Sequence, residues 1–396
     1  MQKTIFKLAL LIATFCGISI CSCSEKDTEK QISLFVVDKN SNSREAKERL
    51  SNKIHLSLLP IETNDSVLVD LSISKIYFDG DKIVVFDYKT GKFYIFDREG
   101  KYENKVDRKG QGPEEYNYGG RFYAKNGKLY VLDTDFIKQY DYHGNFLGMN
   151  KAEGLSRGEV AVTDNDEIYL RKNYVNPYQL IALDRNGETR WEALPSNEKM
   201  MVFSAPAGPE GQVIDALGED IFIGVPMDQN IYLVQDTTLS VLASFDFGAD
   251  NIPGDFFDQS EETVYDEFYK RRGNREESKG FVYFDFIFIN DNWIMLTPVG
   301  SQTTRLLMAD RRTGETYGLE AFPDVLRQLI GQHEYITGYD KTTDSFVIGL
   351  TADKVKEDIK DLKKEGKLKA FPELMKIDTE KINEDDNGYL LMIHVD

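Results

Sequence analysis

A short phrase returns six times along this chain: a polar turn, then an apolar run long enough for one strand. The copies are Gly80–Asp87 (GDKIVVFD), Asn126–Asp133 (NGKLYVLD), Asn165–Lys172 (NDEIYLRK), Gly218–Val225 (GEDIFIGV), Asn290–Thr297 (NDNWIMLT) and Thr343–Leu350 (TDSFVIGL). Their starts lie 46, 39, 53, 72 and 53 residues apart. A period of about 40–50 residues built from short strands is that of a four-stranded propeller blade, and the longer steps leave room for insertions. A second apolar segment precedes each phrase, and two more follow in most repeats. The last two are joined by tight turns, as in Phe93–Tyr102 and Lys138–Leu147, where Asp caps the turn and Gly takes the positive-φ position. The expected fold is all-β: a six-bladed β-propeller with short helical inserts. Blades are expected at 68–107, 119–149, 158–194, 211–247, 281–320 and from 334 onward.

A ring of blades must join its first and last edges, because free strand edges aggregate. The sixth repeat shows two strands, then a charged, helix-like stretch at Lys354–Lys369, then one strand over Gly388–Asp396. Lys53–Ile61 belongs to none of the repeats. It is expected to complete blade 6 beside the C-terminal strand, so that the two ends of the domain close the ring.

The N-terminus reads as an export signal. Lys3 and Lys7 precede the apolar run Leu8–Ile20, which is shorter than the about 20 residues a spanning helix needs. The run ends in Cys21-Ser22-Cys23, and a small residue before a cysteine resembles a bacterial lipobox, with Cys23 as the lipid attachment site. The expected organisation is a signal peptide over 1–22, a tether and lead-in over 23–52, and one propeller over 53–396. Cys16, Cys21 and Cys23 are the only cysteines, so the mature chain is expected to hold no disulfide and no thiolate metal ligand. The net charge of −19 becomes −21 once Lys3 and Lys7 are removed. That balance disfavours nucleic acid and anionic lipid as partners and leaves the lipid on Cys23 as the membrane attachment.

Gly110-Gln111-Gly112-Pro113-Glu114-Glu115-Tyr116 follows the outer hairpin of the first repeat. It lacks the G-K-[ST] of a phosphate loop. Two glycines and a proline suit a crossing from the outer strand of one blade to the inner strand of the next, with Tyr116 filling space between them. The segment resembles the Gly-x-Gly-Pro-x-Glu-Tyr signature of six-bladed, TolB-like β-propeller lipoproteins of Bacteroidota. The resemblance covers the first two repeats well, and the lipobox, the six repeats and the terminal strand in outline. It implies an exported protein of the outer membrane, and Ser24-Glu25-Lys26-Asp27 resembles the surface-export signals of such lipoproteins. The family mostly lacks assigned activities, so little chemistry is implied. Its last strand often contains Asn-Pro, where this chain has Asn387-Gly388.

No catalytic constellation stands out. Gly154-Leu155-Ser156-Arg157-Gly158 matches G-x-S-x-G, but Glu159–Thr163 continues as a strand, whereas a nucleophile elbow needs a helix there. The four histidines, His55, His143, His333 and His394, show no zinc spacing. The acidic clusters 164–167, 290–292 and 384–387 read as turn formers. No cofactor is expected, and a calcium held in the central channel by several blades stays open. Every long connector, including 108–120, 195–212 and 248–280, falls on the face opposite the tight turns. Long connectors on a rigid scaffold carry function, so a site is expected at the channel mouth on that connector face. Asp255–Arg272 is expected as an amphipathic helix across this mouth, with a shorter one at Val325–Ile330. Arg108, Lys109, Gln111, Arg121, Arg157, Arg271 and Arg272 are the candidate binding residues, for an anionic or sugar ligand; neutralising nearby carboxylates is the alternative role. The expected function is a non-catalytic, lipid-anchored propeller of the cell envelope that binds a glycan, a peptide or an envelope protein. A propeller lyase or hydrolase acting on glycan or peptide is the alternative.

Overall fold

The computed structural model describes residues 33–152, 158–171, 177–184, 186–196, 199, 213–225, 228–273, 282–300, 304–331 and 336–396, with backbone alone at 268–273 and 285. Strand β1 (Ser33–Val36), helix α1 (Arg44–Ser51) and strand β2 (Ile54–Pro60) come first. Blade 1 is β3 (Lys75–Asp79), β4 (Lys82–Asp87), β5 (Lys92–Asp97) and β6 (Tyr102–Val106). Blade 2 is β7 (Phe122–Lys125), β8 (Lys128–Asp133), β9 (Phe136–Asp141) and β10 (Phe146–Lys151). Blade 3 is β11 (Glu159–Val162), β12 (Ile168–Arg171), β13 (Tyr178–Leu183) and β14 (Thr189–Pro195). Blade 4 is β15 (Ile214–Leu217), β16 (Asp220–Gly224), β17 (Asn230–Gln235) and β18 (Thr238–Asp246). Helix α2 (Glu261–Gly273) precedes blade 5, which is β19 (Tyr283–Ile289), β20 (Trp293–Val299), β21 (Leu307–Asp310) and β22 (Thr316–Gly318). Helix α3 (Asp324–Ile330) leads to β23 (Gly338–Asp340) and β24 (Ser345–Leu350). Helices α4 (Ala352–Lys364) and α5 (Pro372–Met375) then precede the last strand, β25 (Tyr389–Val395).

The chain is a six-bladed β-propeller, and each repeated phrase supplies the second strand of its blade. First strands line the axis: β3 contacts β7 and β23, β11 contacts β7 and β15, and β15 contacts β19. The hairpins between third and fourth strands repeat one device. Asp97, Asp141 and Asp184 each accept two backbone N–H groups across the turn at 2.8–3.0 Å. The glycine three residues later has φ of 78°, 81° and 83° in turn. A short carboxylate thus satisfies the turn amides, and glycine takes the left-handed conformation at no steric cost.

The apolar core lies between blades as well as within sheets. Blade 5 meets blade 6 through Phe286, Phe288 and Trp293 with Phe346, Ile348 and Leu391. Blade 6 meets blade 1 through Val347, Leu390 and Met392 with Ile76, Ile83 and Val85. Ring closure is as expected: β2 pairs antiparallel with β25 along its full length, from Ile54↔Val395 to Pro60↔Tyr389. His55 and His394 face each other in that register, with ring centroids 6.1 Å apart.

The described part of the expected lead-in, from Ser33 to Asn52, packs with the propeller. From Ser33 the lead-in is built into the domain as a strap over blades 4, 5 and 6. Strand β1 adds to blade 4 as a fifth strand, parallel to β18. Ser41 and Thr316 share a buried hydroxyl hydrogen bond of 2.6 Å, and Thr316 donates to the Val36 carbonyl at 2.8 Å. Lys53 reaches the fully buried Asp310 of blade 5 at 3.0 Å. Burial pushes the Asp310 carboxyl up, but hydrogen bonds from Lys53 and the Arg312 amide outweigh it and hold its pKa below the ordinary value. A lowered carboxyl pKa stabilises the fold above the unfolded-state value near 4 and loses that contribution as pH falls through the folded-state value. Lys53→Met is therefore expected to cost about 1–3 kcal/mol in neutral denaturant melts. The gap between parent and variant should narrow as pH falls below about 4 toward the lowered folded-state value, where Asp310 becomes protonated in the folded parent too.

Two of the expected helices occupy other places than expected. The insert helix starts at Glu261, later than Asp255, where the Ser260 hydroxyl accepts the Thr263 N–H at 3.2 Å. Helix α3 does not lie over the channel mouth. Its Val325, Leu326, Leu329 and Ile330 are all buried, and it packs on α4 and β24 in the blade 5–6 core.

Candidate functional site

The axis is stoppered by four side chains from four blades. The Tyr123 hydroxyl donates to Asp215 Oδ1 at 2.6 Å, from blade 2 to blade 4. The Tyr77 ring of blade 1 packs on Tyr123 with centroids 4.9 Å apart. Burial, and then the Asp215 carboxylate, push both phenol pKa values well up, so both hydroxyls stay protonated as donors. Lys341 of blade 6 is exposed as a residue, and its ammonium donates to the Ala216 carbonyl of blade 4. Burial of that head group pushes its pKa down, and the Asp215 carboxylate opposes the shift.

On the tight-turn side of this stopper lies a polar cavity of about 90 Å³. Asp79, Arg98, Lys125, Asp340 and Thr342 wall it. Each charge there is anchored. Asp79 accepts the Asn126 and Gly127 amides at 3.0 and 2.7 Å and the Tyr142 hydroxyl at 2.6 Å. Arg98 lies 2.8 Å from the Asp340 carboxylate and donates to the Gly80 carbonyl at 2.8 Å, clasping blade 1 to blade 6. Lys125 is paired with Asp164 of blade 3. The Asp and Asn residues of the repeated turns thus do more than form turns, since they also tie neighbouring blades together. Asn290 shows the same dual role: its carbonyl accepts the Trp293 amide at 2.6 Å, and its amide donates to Asp344 of blade 6 at 2.7 Å.

The candidate binding residues are dispersed. Arg108 follows the outermost strand of blade 1 and donates to the Gly144 carbonyl, in the outer hairpin of blade 2, at 2.7 Å. It sits at the rim and away from the channel mouth. Lys109 is exposed beside Gly91 in the second turn of blade 1, and Gln111 is exposed in the connector. Arg121 is the described member placed at the start of an inner strand, with its guanidinium 5.7 Å from the Tyr118 ring centre. Arg271 and Arg272 fall on α2, where only backbone is described, and Arg157, the rest of its G-x-S-x-G segment up to Gly158, and Cys23 lie outside the described residues. Among the described residues no trio of His, Cys, Asp or Glu is arranged to hold a metal ion, and no helix is long and apolar enough to cross a membrane.

The Gly110–Tyr116 connector is an interblade wedge, as expected. Tyr116 is fully buried between Phe93 and Tyr140, edge-on to both at 5.5 and 5.9 Å, and its hydroxyl donates to the Gly91 carbonyl at 2.9 Å. Glu115 folds back to accept the Gly112 amide at 2.9 Å. A Cβ on Gly110 would sit 1.9 Å from that carboxylate, so a larger residue there would have to displace Glu115 from its bond to the Gly112 amide.

The hairpins of the tight-turn face are short, and they do not by themselves make a pocket. The cavity there is made by the ring itself, where first strands from several blades converge on one axis. A signal for it was present: Asp79, Lys125 and Lys341 flank the repeated turns in three of the repeats.

A crystal structure of a Bacteroides fragilis protein described as exported superposes with a TM-score of 0.70 at 20% identity, over 92% of this chain and all of that one. A member of the DUF4221 family from Bacteroides vulgatus matches with a TM-score of 0.47 at 9% identity, over 87% and 99% of the two chains. A streptogramin B lyase matches with a TM-score of 0.43 at 10% identity, over 88% and 99%. At such identities the likeness of the first is one of fold. No curated protein matches the sequence. Residues 34–394 match the model of one family along almost the whole propeller, and the chain belongs to that family, Domain of unknown function (DUF4934).

Proposed function

We propose that this protein is a lipid-anchored propeller of the cell envelope, held at the outer membrane through Cys23, that binds a small charged group at the tight-turn end of its axis. The carrying observation is the way the cavity charges are held. Each acid and base on its wall is committed to an ion pair, a backbone group or a phenol. Fixed donors and acceptors recognise a ligand, whereas proton shuttling needs a group free to change its charge. Typical small-molecule pockets measure about 300–1,000 Å³. A cavity of about 90 Å³ suits the tip of a ligand: a chain terminus, an acidic side chain or one charged substituent of a glycan. Arg121 and its neighbours on the connector face are the proposed second contact region, for an anionic or sugar ligand.

The anchor is tested first. Cys23→Ser should leave the membrane fraction after a carbonate wash and keep the parent melting temperature, since Cys23 precedes the compact domain. Continued membrane retention would sink the lipid-anchor reading. That soluble variant then serves for thermal-shift and array screens against short peptides, amino acids and glycans. Lys341→Met, which removes the axial ammonium, should weaken a hit about tenfold or more, the equivalent of one charged hydrogen bond. Turnover of the hit by the parent would favour a propeller enzyme instead.

A further inference from the structure

Strand β1 carries an unusual surface. Its side chains alternate, with Phe35 and Val37 buried while Leu34 and Val36 are 62% and 51% exposed. Phe35 stacks on Phe245 with centroids 5.0 Å apart, which fixes the strand's orientation and turns Leu34 and Val36 outward. Leu34 is paired with Ser244 and Val36 with Asp246, so the apolar pair lies on the outermost edge of blade 4. Proteins usually guard such an edge with charge, because a bare apolar edge invites contact.

The sequence says what lies within reach. Ser33 comes ten positions after Cys23, and a fully extended chain spans at most about 3.6 Å per residue, so the start of β1 stays within about 36 Å of the lipidated residue. Among the described residues no other exposed apolar pair is so close to the tether in sequence. Leu147 and Met149 on β10 are 51% and 50% exposed, but they sit two blades away around the ring. We propose that the Leu34–Val36 edge of blade 4 rests on the lipid surface into which the Cys23 acyl chains insert, so that the propeller stands on its rim. The proposal rests on the lipid anchor proposed above. Two apolar side chains are too few to hold a free protein on a bilayer, but the tether makes their contact intramolecular and raises their effective concentration. With a mature charge of −21, derived from −19 by loss of Lys3 and Lys7, apolar contact with zwitterionic lipid is favoured over attraction to anionic headgroups. In this posture the axis lies along the membrane plane, both its ends open sideways, and blade 1, opposite blade 4, points away from the lipid.

The native cysteines all lie at or before residue 23, so in the mature acylated protein an introduced cysteine is the one free thiol. Full-length Leu34→Cys, Val36→Cys and Leu147→Cys are purified from membranes, labelled with a polarity-sensitive fluorophore and reconstituted into phosphatidylcholine vesicles. Matching melting temperatures confirm that all three fold. The expected result is a blue shift and an intensity gain at 34 and 36, with the probe at 147 unchanged from solution. Vesicles that float with the protein while 34 and 36 stay water-like would overturn the docking and leave the anchor standing. An equal response at 147 would also overturn it, as unspecific adsorption. Protein that fails to float would remove the anchor, and the docking with it.

Discussion

Deleting Asn387–Asp396 should leave a chain that no longer folds cooperatively at ambient temperature. The deletion removes β25, the strand that β2 and β24 both pair with, and so reopens the ring. It also takes Leu390, Leu391, Met392, Ile393 and Val395 out of two interblade cores. Each such side chain contributes about 1.5–3 kcal/mol by burial, and their sum is comparable to the whole stability of a typical domain, about 5–15 kcal/mol. The lock at the start of the strand goes as well. Asn387 accepts the Val69 amide at 2.7 Å and donates to the Glu62 carbonyl at 2.6 Å, while Ile61 donates to the Gly388 carbonyl at 3.0 Å. Gly388 has φ of +99°, which proline cannot adopt. That accounts for Asn-Gly here in place of the Asn-Pro of the resembled family. Circular dichroism melts compare the truncated and parent proteins. A cooperative transition within a few degrees of the parent would show that β25 is dispensable.

Tyr116→Ala should be the most damaging single substitution in the blade 1–2 interface. Tyr116 is fully buried, packs edge-on to two aromatic rings and bonds the Gly91 carbonyl. Truncating a buried aromatic to alanine costs about 3–5 kcal/mol, because the cavity only partly collapses. Tyr116→Phe keeps the ring and loses the hydrogen bond, so it should cost about 1–2 kcal/mol, mostly from the carbonyl left unpaired. Urea titrations of the three proteins give the two differences. Equal losses for Ala and Phe would mean that the hydroxyl, and not the ring, is what holds the wedge.

Those two sites bracket how much of the molecule was legible. The blades were readable because a propeller is built from local units: alternating strands and Asp-x-x-Gly turns act within a few residues, so each repeat states its own structure. Closure was readable by elimination, since Lys53–Ile61 matched no blade and the last blade lacked a strand. The strap was not, because a parallel fifth strand at β1 depends on contacts between residues some two hundred positions apart, such as Phe35 with Phe245. The place of Arg108 was hidden for a related reason. Position in a connector says which face a residue leaves from, but not how far from the axis it lands. Outer strands tilt across their neighbours, and that carried Arg108 to the rim of blade 2.

The fold class and the number and order of the blades are written in short-range patterns that repeat along the chain, the place of closure in the one segment that no repeat claims, and the wedge role of Tyr116 in its own Gly- and Pro-containing connector. Only the tertiary structure decided which charges meet. Asp79, Arg98, Lys125, Asp215 and Lys341 come from four blades and span most of the chain, and they share one cavity because closing the ring brings first strands together on a common axis. Coulomb forces and hydrogen bonds depend on distance in space, and no linear spacing encodes a distance that is set by closure of the ring.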